Sequence, residues 1–151
     1  MLIVTPDGIS DADWDRVKEL AVAIVNATQD DEEGGEQETL ALMGFLDGLE
    51  AKYGPHPGIL STRADFLSDP DEAVALLERA YTLAVERRDA RSRLYIADTL
   101  AGTFIRELED AEAGETWLHR VAEELKSAGD ESDITSYEEL RVDLQRLRDD
   151  D

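Results

Sequence analysis

Apolar residues recur every three or four positions through most of the chain, and this spacing restricts the fold more than any other feature of the sequence. A side chain returns to the same face of an α-helix after 3.6 residues, whereas the pattern of a β-strand repeats after two. In "DWDRVKELAVAIV" the apolar residues Trp14, Val17, Leu20 and Ile24 fall on one helical face. Only the short "LIV" near the start is compatible with an extended segment. We therefore predict an all-α protein.

The helical pattern divides into about seven segments. Prolines and glycines at residues 54–58 and short polar turns elsewhere interrupt it. Short connections favour antiparallel neighbouring helices, and a chain of 151 residues suits one domain without disulfides or metals. We predict a single helical domain over residues 1–151. Its expected parts are an N-terminal hairpin (11–53) with an acidic loop (29–38), two hairpins (57–128) and a C-terminal capping helix (132–148).

Residue types at the expected helix starts are consistent with this division. Ser10 precedes the first helix and is expected to be its N-cap. Pro70 stands at the first position of a later helix, with Ser68 or Asp69 as its cap. Carboxylates follow in the first turn, where the helix dipole favours negative charge. We expect one helix to begin near residue 11 and another near residue 70.

Two of the expected hairpins share a spacing of small and apolar residues. On the first helix of each hairpin, an apolar residue is followed by a small one, and a further matched residue comes one turn later. A short acidic turn follows. The second helix then has a small residue, an apolar residue and a third matched residue. Small residues let two helices approach closely. The matched pairs are Leu60 and Leu100, Ser61 and Ala101, Ala64 and Phe104, Ala73 and Gly114, Leu77 and Leu118, and Ala80 and Val121.

This pattern resembles the tetratricopeptide repeat, whose motif runs Leu-Gly…Tyr…Ala…Phe…Ala, over roughly residues 57–128. The resemblance implies TPR-like stacked helical hairpins. The chain departs from the family in three ways. Ala73 and Gly114 are 41 residues apart, whereas the family repeats every 34; Ser61 replaces a glycine; and neither copy has the proline after its second helix. An irregular helical bundle is the alternative.

The resemblance also implies a concave groove, lined by the first helix of each pair, that holds a peptide or a partner protein. The residues of this chain that it places in the groove are Thr62, Asp65, Tyr95, Asp98, Gly102, Ile105 and Arg106. The alternative for Tyr95 and Ile105 is that both pack beneath a terminal helix. We expect the groove residues to contact the partner.

Charge limits the class of that partner. The chain has 37 acidic and 15 basic residues, a formal net charge of −22. This field repels nucleic acid and anionic membrane surfaces and attracts a basic protein. The loop "QDDEEGGEQ" has four consecutive acids, Asp30, Asp31, Glu32 and Glu33, and is predicted to contribute to partner binding. The alternative is that the acidity is general adaptation to salt.

Candidates for catalysis and metal binding are weak. The chain has no cysteine and two histidines, so thiol chemistry and cysteine-ligated zinc are excluded. His56, Ser61 and Asp65 lack the strand–turn–helix context of a nucleophile, and the prolines beside His56 suggest a joint between helices. Glu115, His119 and Glu123 share one helix face, but a solvated Glu–His pair is the commoner arrangement. We predict no enzymatic activity, cofactor or metal.

The sequence therefore suggests a non-enzymatic, acidic interaction module. The most concrete form is a bacterial immunity or antitoxin-type protein that neutralises a basic partner. A peptide-binding scaffold or chaperone-like TPR adaptor is the second possibility, and a structural helical protein whose acidity serves solvation is the third. The N-terminus lacks a basic leader and no apolar run reaches the ~18 residues of a membrane span, so we expect a cytoplasmic protein.

Overall fold

In a computed structural model, the described part of the chain, residues 8–30 and 34–150, folds into seven α-helices and contains no β-strand. This confirms the prediction of an all-α protein with about seven helices. A π-helical segment, Thr103–Glu107, continues directly from the fifth helix. The helices are α1 (Asp11–Asp30), α2 (Glu36–Tyr53), α3 (Pro57–Asp65), α4 (Pro70–Glu86), α5 (Ala90–Gly102), α6 (Ala111–Leu125) and α7 (Glu131–Asp149).

The chain divides into two compact units, Met1–Ile59 and Leu60–Asp151. The sequence analysis placed residues 1–151 in one domain and separated its hairpins between residues 53 and 57. The observed boundary falls within α3, close to that separation. The first unit therefore contains α1 and α2, and the second contains most of α3 and all later helices.

The first unit is built from α1 and α2, which pack against each other. The Ser10 hydroxyl accepts a hydrogen bond from the backbone N–H of Asp13 at 3.2 Å, as expected for the N-cap of α1. Gly35 precedes α2 with a φ of +88° and lies so close to α1 that a Cβ atom would stand 3.1 Å from Cγ2 of Thr28. Glycine therefore suits this turn. The buried residues of the two helices include Val17, Ile24, Leu42, Leu46 and Leu49.

The second unit is organised around α5, which packs against α4, α6 and α7. These contacts bury one face of α5, which accounts for the helical spacing of its apolar residues. The opposite face remains available for other interactions. The buried residues of the second unit include Leu60, Ala64, Leu77, Ala80, Leu94, Ala97, Leu100, Ala101, Ile105, Leu118, Val121, Leu140 and Leu144.

An aspartate is the N-cap residue of each helix from α4 to α7. A carboxylate at the N-cap satisfies a backbone N–H group that has no partner inside the helix, and its charge opposes the positive end of the helix dipole. Part of the negative charge of the chain therefore has a structural role. The caps are Asp69, Asp89, Asp110 and Asp130, which accept from the N–H groups of Asp71, Ser92, Ala113 and Asp133.

The residue pairs that relate the two hairpins occupy similar environments. In both copies the matched positions are buried, except Phe104, which is partly buried. Gly114 contacts the π-helical segment so closely that a Cβ atom would stand 2.6 Å from Cγ1 of Ile105. Small residues at these positions therefore permit close packing. The relationship to the tetratricopeptide repeat stays a prediction.

The π-helical segment explains why the second copy is longer by one residue. Leu60 and Ala73 are separated by one residue fewer than Leu100 and Gly114. A π-helical turn closes its hydrogen bonds between residues five apart and so includes an extra residue. The backbone N–H of Leu108 donates to the carbonyl oxygen of Thr103 at 3.0 Å. The extra residue is accommodated here, before α6 begins.

Candidate functional site

The second unit carries a polar surface on the side of α5 that faces away from the core. Helix α5 buries Leu94, Ile96, Ala97, Leu100 and Ala101, whereas Tyr95, Asp98 and Thr99 keep part of their surface exposed. Tyr95 is 51% exposed there. With the ends of α3 and α7, this face forms what we call the α3–α5–α7 groove. Its lining residues include Asp65, Asp98, Thr99, Gly102, Thr103, Arg106, Glu107 and Ser136.

Asp65 and Tyr95 join α3 to α5. The Tyr95 hydroxyl donates a hydrogen bond to the Asp65 carboxylate. Although Asp65 keeps part of its surface in water, burial of the rest raises its pKa, and the hydrogen bond from Tyr95 partly offsets this. Burial, together with the charge of Asp65, also raises the pKa of Tyr95. Both residues were predicted groove residues, and the structure brings them into direct contact.

Asp98 joins α5 to α7. The Ser136 hydroxyl donates to its Oδ1 atom at 2.8 Å. Burial raises the pKa of Asp98, the bond from Ser136 lowers it, and the negative charge of Asp133 adds to the increase. The sequence indicated Asp98 but not Ser136, because no local spacing relates two residues on helices that are far apart in the chain.

Arg106, another predicted groove residue, lines the α3–α5–α7 groove and pairs with α7. Its Nε atom donates to Oδ2 of Asp143 at 2.8 Å, and the Arg106 side chain is about half exposed. The nearby positive charge lowers the pKa of Asp98 slightly against the effect of burial. Arg106 therefore has an acidic partner within the chain, which a binding protein must share or displace.

Two cavities make up the groove. The first, of about 300 Å³, lies between α5 and α7, and we call it the α5–α7 cavity. The second, of about 200 Å³, lies between α3, α4 and α5, and we call it the α3–α5 cavity. Thr99, Thr103 and Glu107 line both, so the cavities adjoin. The sequence did not indicate Glu107, which lies in the π-helical segment at the junction of the two cavities.

The structure corrects the prediction for Ile105. Its side chain is only 3% exposed and packs against Gly114, so it offers no surface to a partner. Counted at helical spacing, Ile105 lies on the same face as the buried residues Leu94 and Ala101. Thr62, the remaining predicted groove residue, is half-buried on α3.

The predicted acidic loop lies largely outside the described residues. Asp31, Glu32 and Glu33 belong to the part of the chain that is not described, and Asp30 is the last residue of α1. The structure therefore gives no contacts for these four carboxylates. Their predicted contribution to partner binding stays a prediction.

His56 lies in the joint between α2 and α3. It is buried, and its Nδ1 atom accepts a hydrogen bond from the backbone N–H of Gly58 at 2.9 Å. Its ring packs edge-on against Trp14, with the ring centroids 6.5 Å apart. These contacts organise the turn that begins α3. Ser61 is also buried, and Asp65 interacts with Tyr95. His56, Ser61 and Asp65 therefore each have contacts that account for their positions in the fold.

The candidate metal site on α6, formed by Glu115, His119 and Glu123, includes a carboxylate that pairs with Arg148. The Arg148 guanidinium donates a hydrogen bond to the Glu115 carboxylate and lowers its pKa. His119 lies 3.7 Å from the same carboxylate, while Glu123 pairs with Lys126 at 3.0 Å. Among the described residues, no group of three His, Asp or Glu side chains is arranged to hold a metal ion.

Another cavity was not indicated by the sequence. It measures about 560 Å³ and lies between α6 and α7, with Leu118, Tyr137 and Val142 on its walls. Two ion pairs border it, Glu115 with Arg148 and Glu138 with Arg141. Its charges are balanced, in contrast to the groove, where three carboxylates face one arginine.

Comparisons with protein-family models, curated proteins and solved structures gave no match to this chain. Within residues 8–30 and 34–150, no helix is both long and apolar enough to span a lipid bilayer. The function must therefore be argued from the charge and geometry of the groove.

Proposed function

We propose that this protein is a non-enzymatic, acidic interaction module that neutralises a basic protein, as an immunity or antitoxin-type protein does. The α3–α5–α7 groove is the proposed contact surface. In this proposal the net charge of −22 raises the rate of encounter with the partner. The groove then supplies the short-range contacts that decide which basic protein is held.

The observation that carries the proposal is the charge of the groove. Asp65, Asp98 and Glu107 line its two cavities, and the cation that lines it, Arg106, is paired with Asp143. Burial raises the pKa values of Asp65 and Asp98, and for Asp98 the charge of Arg106 offsets only part of this effect. A basic side chain of a partner would offset it further.

Affinity capture tests the proposal most directly. The tagged protein is incubated with lysate of the source organism and washed at low and then moderate salt, and the retained proteins are identified by mass spectrometry. We expect one basic protein that is lost as salt rises, because screening weakens attraction between exposed charges. An empty capture, or recovery of the protein alone as an oligomer, would contradict the proposal.

The acidic loop can be tested separately with the captured partner. Neutralising Asp30, Asp31, Glu32 and Glu33 as amides should slow association at low salt by roughly tenfold, because fewer charges attract the partner. A matched variant neutralises four scattered, exposed acids, Asp15, Glu78, Glu86 and Glu139, and should slow association less. Unchanged association of the loop variant would remove the loop from the binding surface.

A peptide-binding scaffold is the second candidate, and exposure of Tyr95 favours it. An aromatic side chain that is 51% exposed in a groove is a common anchor in protein interfaces. In that case Tyr95→Ala should weaken binding of the captured partner more than neutralisation of the acidic loop does. The opposite order supports charge-driven recognition by an immunity-type protein.

The third candidate, a structural protein whose acidity serves solvation, differs in its response to salt. Screening of repulsion among acidic residues should then stabilise the fold markedly as salt rises. Thermal unfolding from low to molar salt measures this response. A large stabilisation together with an empty capture would favour this candidate.

A further inference from the structure

The α3–α5 cavity combines an apolar floor with two carboxylates. Leu67, Pro70 and Leu77 contribute the apolar lining, together with two alanines of α3 and α4. Asp65 and Glu107 contribute the carboxylates. A long side chain with a charged end buries its methylene groups against apolar surface and keeps its charged group near polar partners. The cavity offers both environments within about 200 Å³.

The charges of this cavity are not balanced by the residues that line it. No lysine or arginine is among its described lining residues. Within the described part of the chain, the Glu107 side chain makes no hydrogen bond or ion pair, and Asp65 receives a hydrogen bond from the neutral Tyr95 hydroxyl. This distinguishes it from the larger cavity between α6 and α7, whose carboxylates are paired with arginines.

We propose that the α3–α5 cavity receives one arginine side chain of the basic partner, with its guanidinium group paired to the carboxylates of Asp65 and Glu107. The inference rests on the proposed function, because it specifies how the groove recognises a basic protein. The volume of about 200 Å³ is below the roughly 300–1,000 Å³ of typical small-molecule sites. It therefore suits a single inserted side chain.

The two carboxylates and the neighbouring aromatic ring favour arginine over lysine. The planar guanidinium group has five N–H donors and can bond two carboxylates at once, whereas an ammonium group is a compact and strongly hydrated charge. The hydroxyl groups of Thr99 and Thr103 donate to backbone carbonyl oxygens of α5, so they do not compete as donors for the carboxylates. Guanidinium also stacks on aromatic rings, and the exposed ring of Tyr95 adjoins Asp65.

A short peptide probe tests this inference with the full chain. Acetyl-Gly-Arg-Gly-amide is titrated into the labelled protein at low salt while backbone amide signals are recorded by NMR. Peptides with lysine or with uncharged citrulline in place of arginine are the matched ligands. We expect saturable shifts at Thr99 and Thr103 for arginine, about threefold to fivefold weaker binding for lysine, and no binding for citrulline.

Variants of the protein complete the test. Glu107→Gln changes an exposed residue and should weaken arginine-peptide binding about threefold to fivefold. Glu139→Gln removes the same charge from an exposed position on α7 and should leave binding unchanged. A bound guanidinium should also lower the pKa of Asp65, which side-chain carbonyl signals report independently.

The outcomes separate this inference from the proposed function. Equal weak binding of the arginine and lysine peptides, insensitive to Glu107→Gln, would overturn the inference and leave general attraction of basic proteins intact. Absence of peptide binding would also overturn it, and capture of a salt-sensitive basic partner would still support the proposed function. If only the capture fails, the proposed function is contradicted, but an arginine site measured with the peptide would remain.

Discussion

Arg93 and Glu124, which are 31 residues apart in the chain, form a charged pair between α5 and α6. The Nε atom of Arg93 donates to both carboxylate oxygens of Glu124, at 3.1 and 3.0 Å. The hydroxyl of Tyr81 on α4 donates to the same carboxylate at 3.2 Å. Burial, and the negative charge of Glu124 next, raise the pKa of Tyr81. One carboxylate therefore joins three helices of the second unit.

Glu124→Gln should destabilise the protein by about 1–2 kcal/mol, because a partly buried arginine loses its charged acceptor. The Arg93 and Glu124 side chains are 21% and 13% exposed. The neighbouring Glu123→Gln is the matched control, since Glu123 and its partner Lys126 are each 71% exposed and such pairs contribute below about 1 kcal/mol. Urea unfolding measures both. Equal losses of stability would show that burial does not strengthen the pair.

Gly114→Ala should destabilise the protein by about 1 kcal/mol, although alanine is the better helix former. The added methyl group would stand 2.6 Å from Cγ1 of Ile105, and overpacking of this kind costs about 1–3 kcal/mol. Gly102→Ala is the control, because its methyl group would meet Leu140 at an ordinary 3.7 Å. We expect the control to be neutral or stabilising in thermal unfolding. A stabilised Gly114→Ala variant would contradict the close packing of α6 on the π-helical segment.

Asp98→Asn should stabilise the protein at neutral pH, because it removes a charge whose burial is unfavourable while the amide oxygen still accepts from Ser136. A raised carboxyl pKa means that the folded state binds the proton more tightly than the unfolded state does. The penalty is therefore absent below the ordinary pKa of aspartate and appears as pH rises through the raised pKa of Asp98. The difference from the unmodified protein should vanish near pH 3.

The control for Asp98→Asn is Glu139→Gln, which removes one charge from an exposed site. Urea unfolding of both variants near pH 3 and pH 7 separates burial from net charge. If the two variants gain equal stability at neutral pH, the effect belongs to the overall acidity of the chain and not to the position of Asp98.

Tyr53→Phe should destabilise the first unit by about 1 kcal/mol at neutral pH. The Tyr53 hydroxyl donates to Oδ2 of Asp13 at 2.5 Å, and this bond is the largest of the effects that lower the pKa of Asp13. A lowered pKa gives stability that is present above the ordinary pKa of aspartate and lost as pH falls through the lowered value. The effect of Tyr53→Phe should therefore shrink in acid.

Lys52→Gln tests how much the exposed ion pair with Asp13 contributes to stability. The Lys52 side chain is 57% exposed and lies 3.1 Å from Asp13, so we expect a smaller loss of stability than for Tyr53→Phe. Urea unfolding of the two variants at neutral and acid pH gives the comparison. A larger loss for Lys52→Gln than for Tyr53→Phe would show that the ion pair, and not the phenol, governs Asp13.

The sequence by itself determined the helices and most of their limits. Helical spacing of apolar residues and the residue types at helix starts are local properties, so α1 and α4 begin where Ser10 and Asp69 indicated. The sequence also determined the negative field of the chain, which depends only on composition. Asp65, Tyr95 and Asp98 were indicated as groove residues by the resemblance to the tetratricopeptide repeat, and their role in binding stays a prediction.

Only the tertiary structure decided which distant side chains meet. Ser136 bonds to Asp98, and Glu124 to Arg93, across 38 and 31 residues, and no local spacing encodes such contacts. The π-helical segment packs against α6 and α7, and its last residue, Glu107, lines the groove. A one-residue change of register rotates every later side chain of a helix by about 100°, so inward and outward positions there follow from packing and not from periodicity.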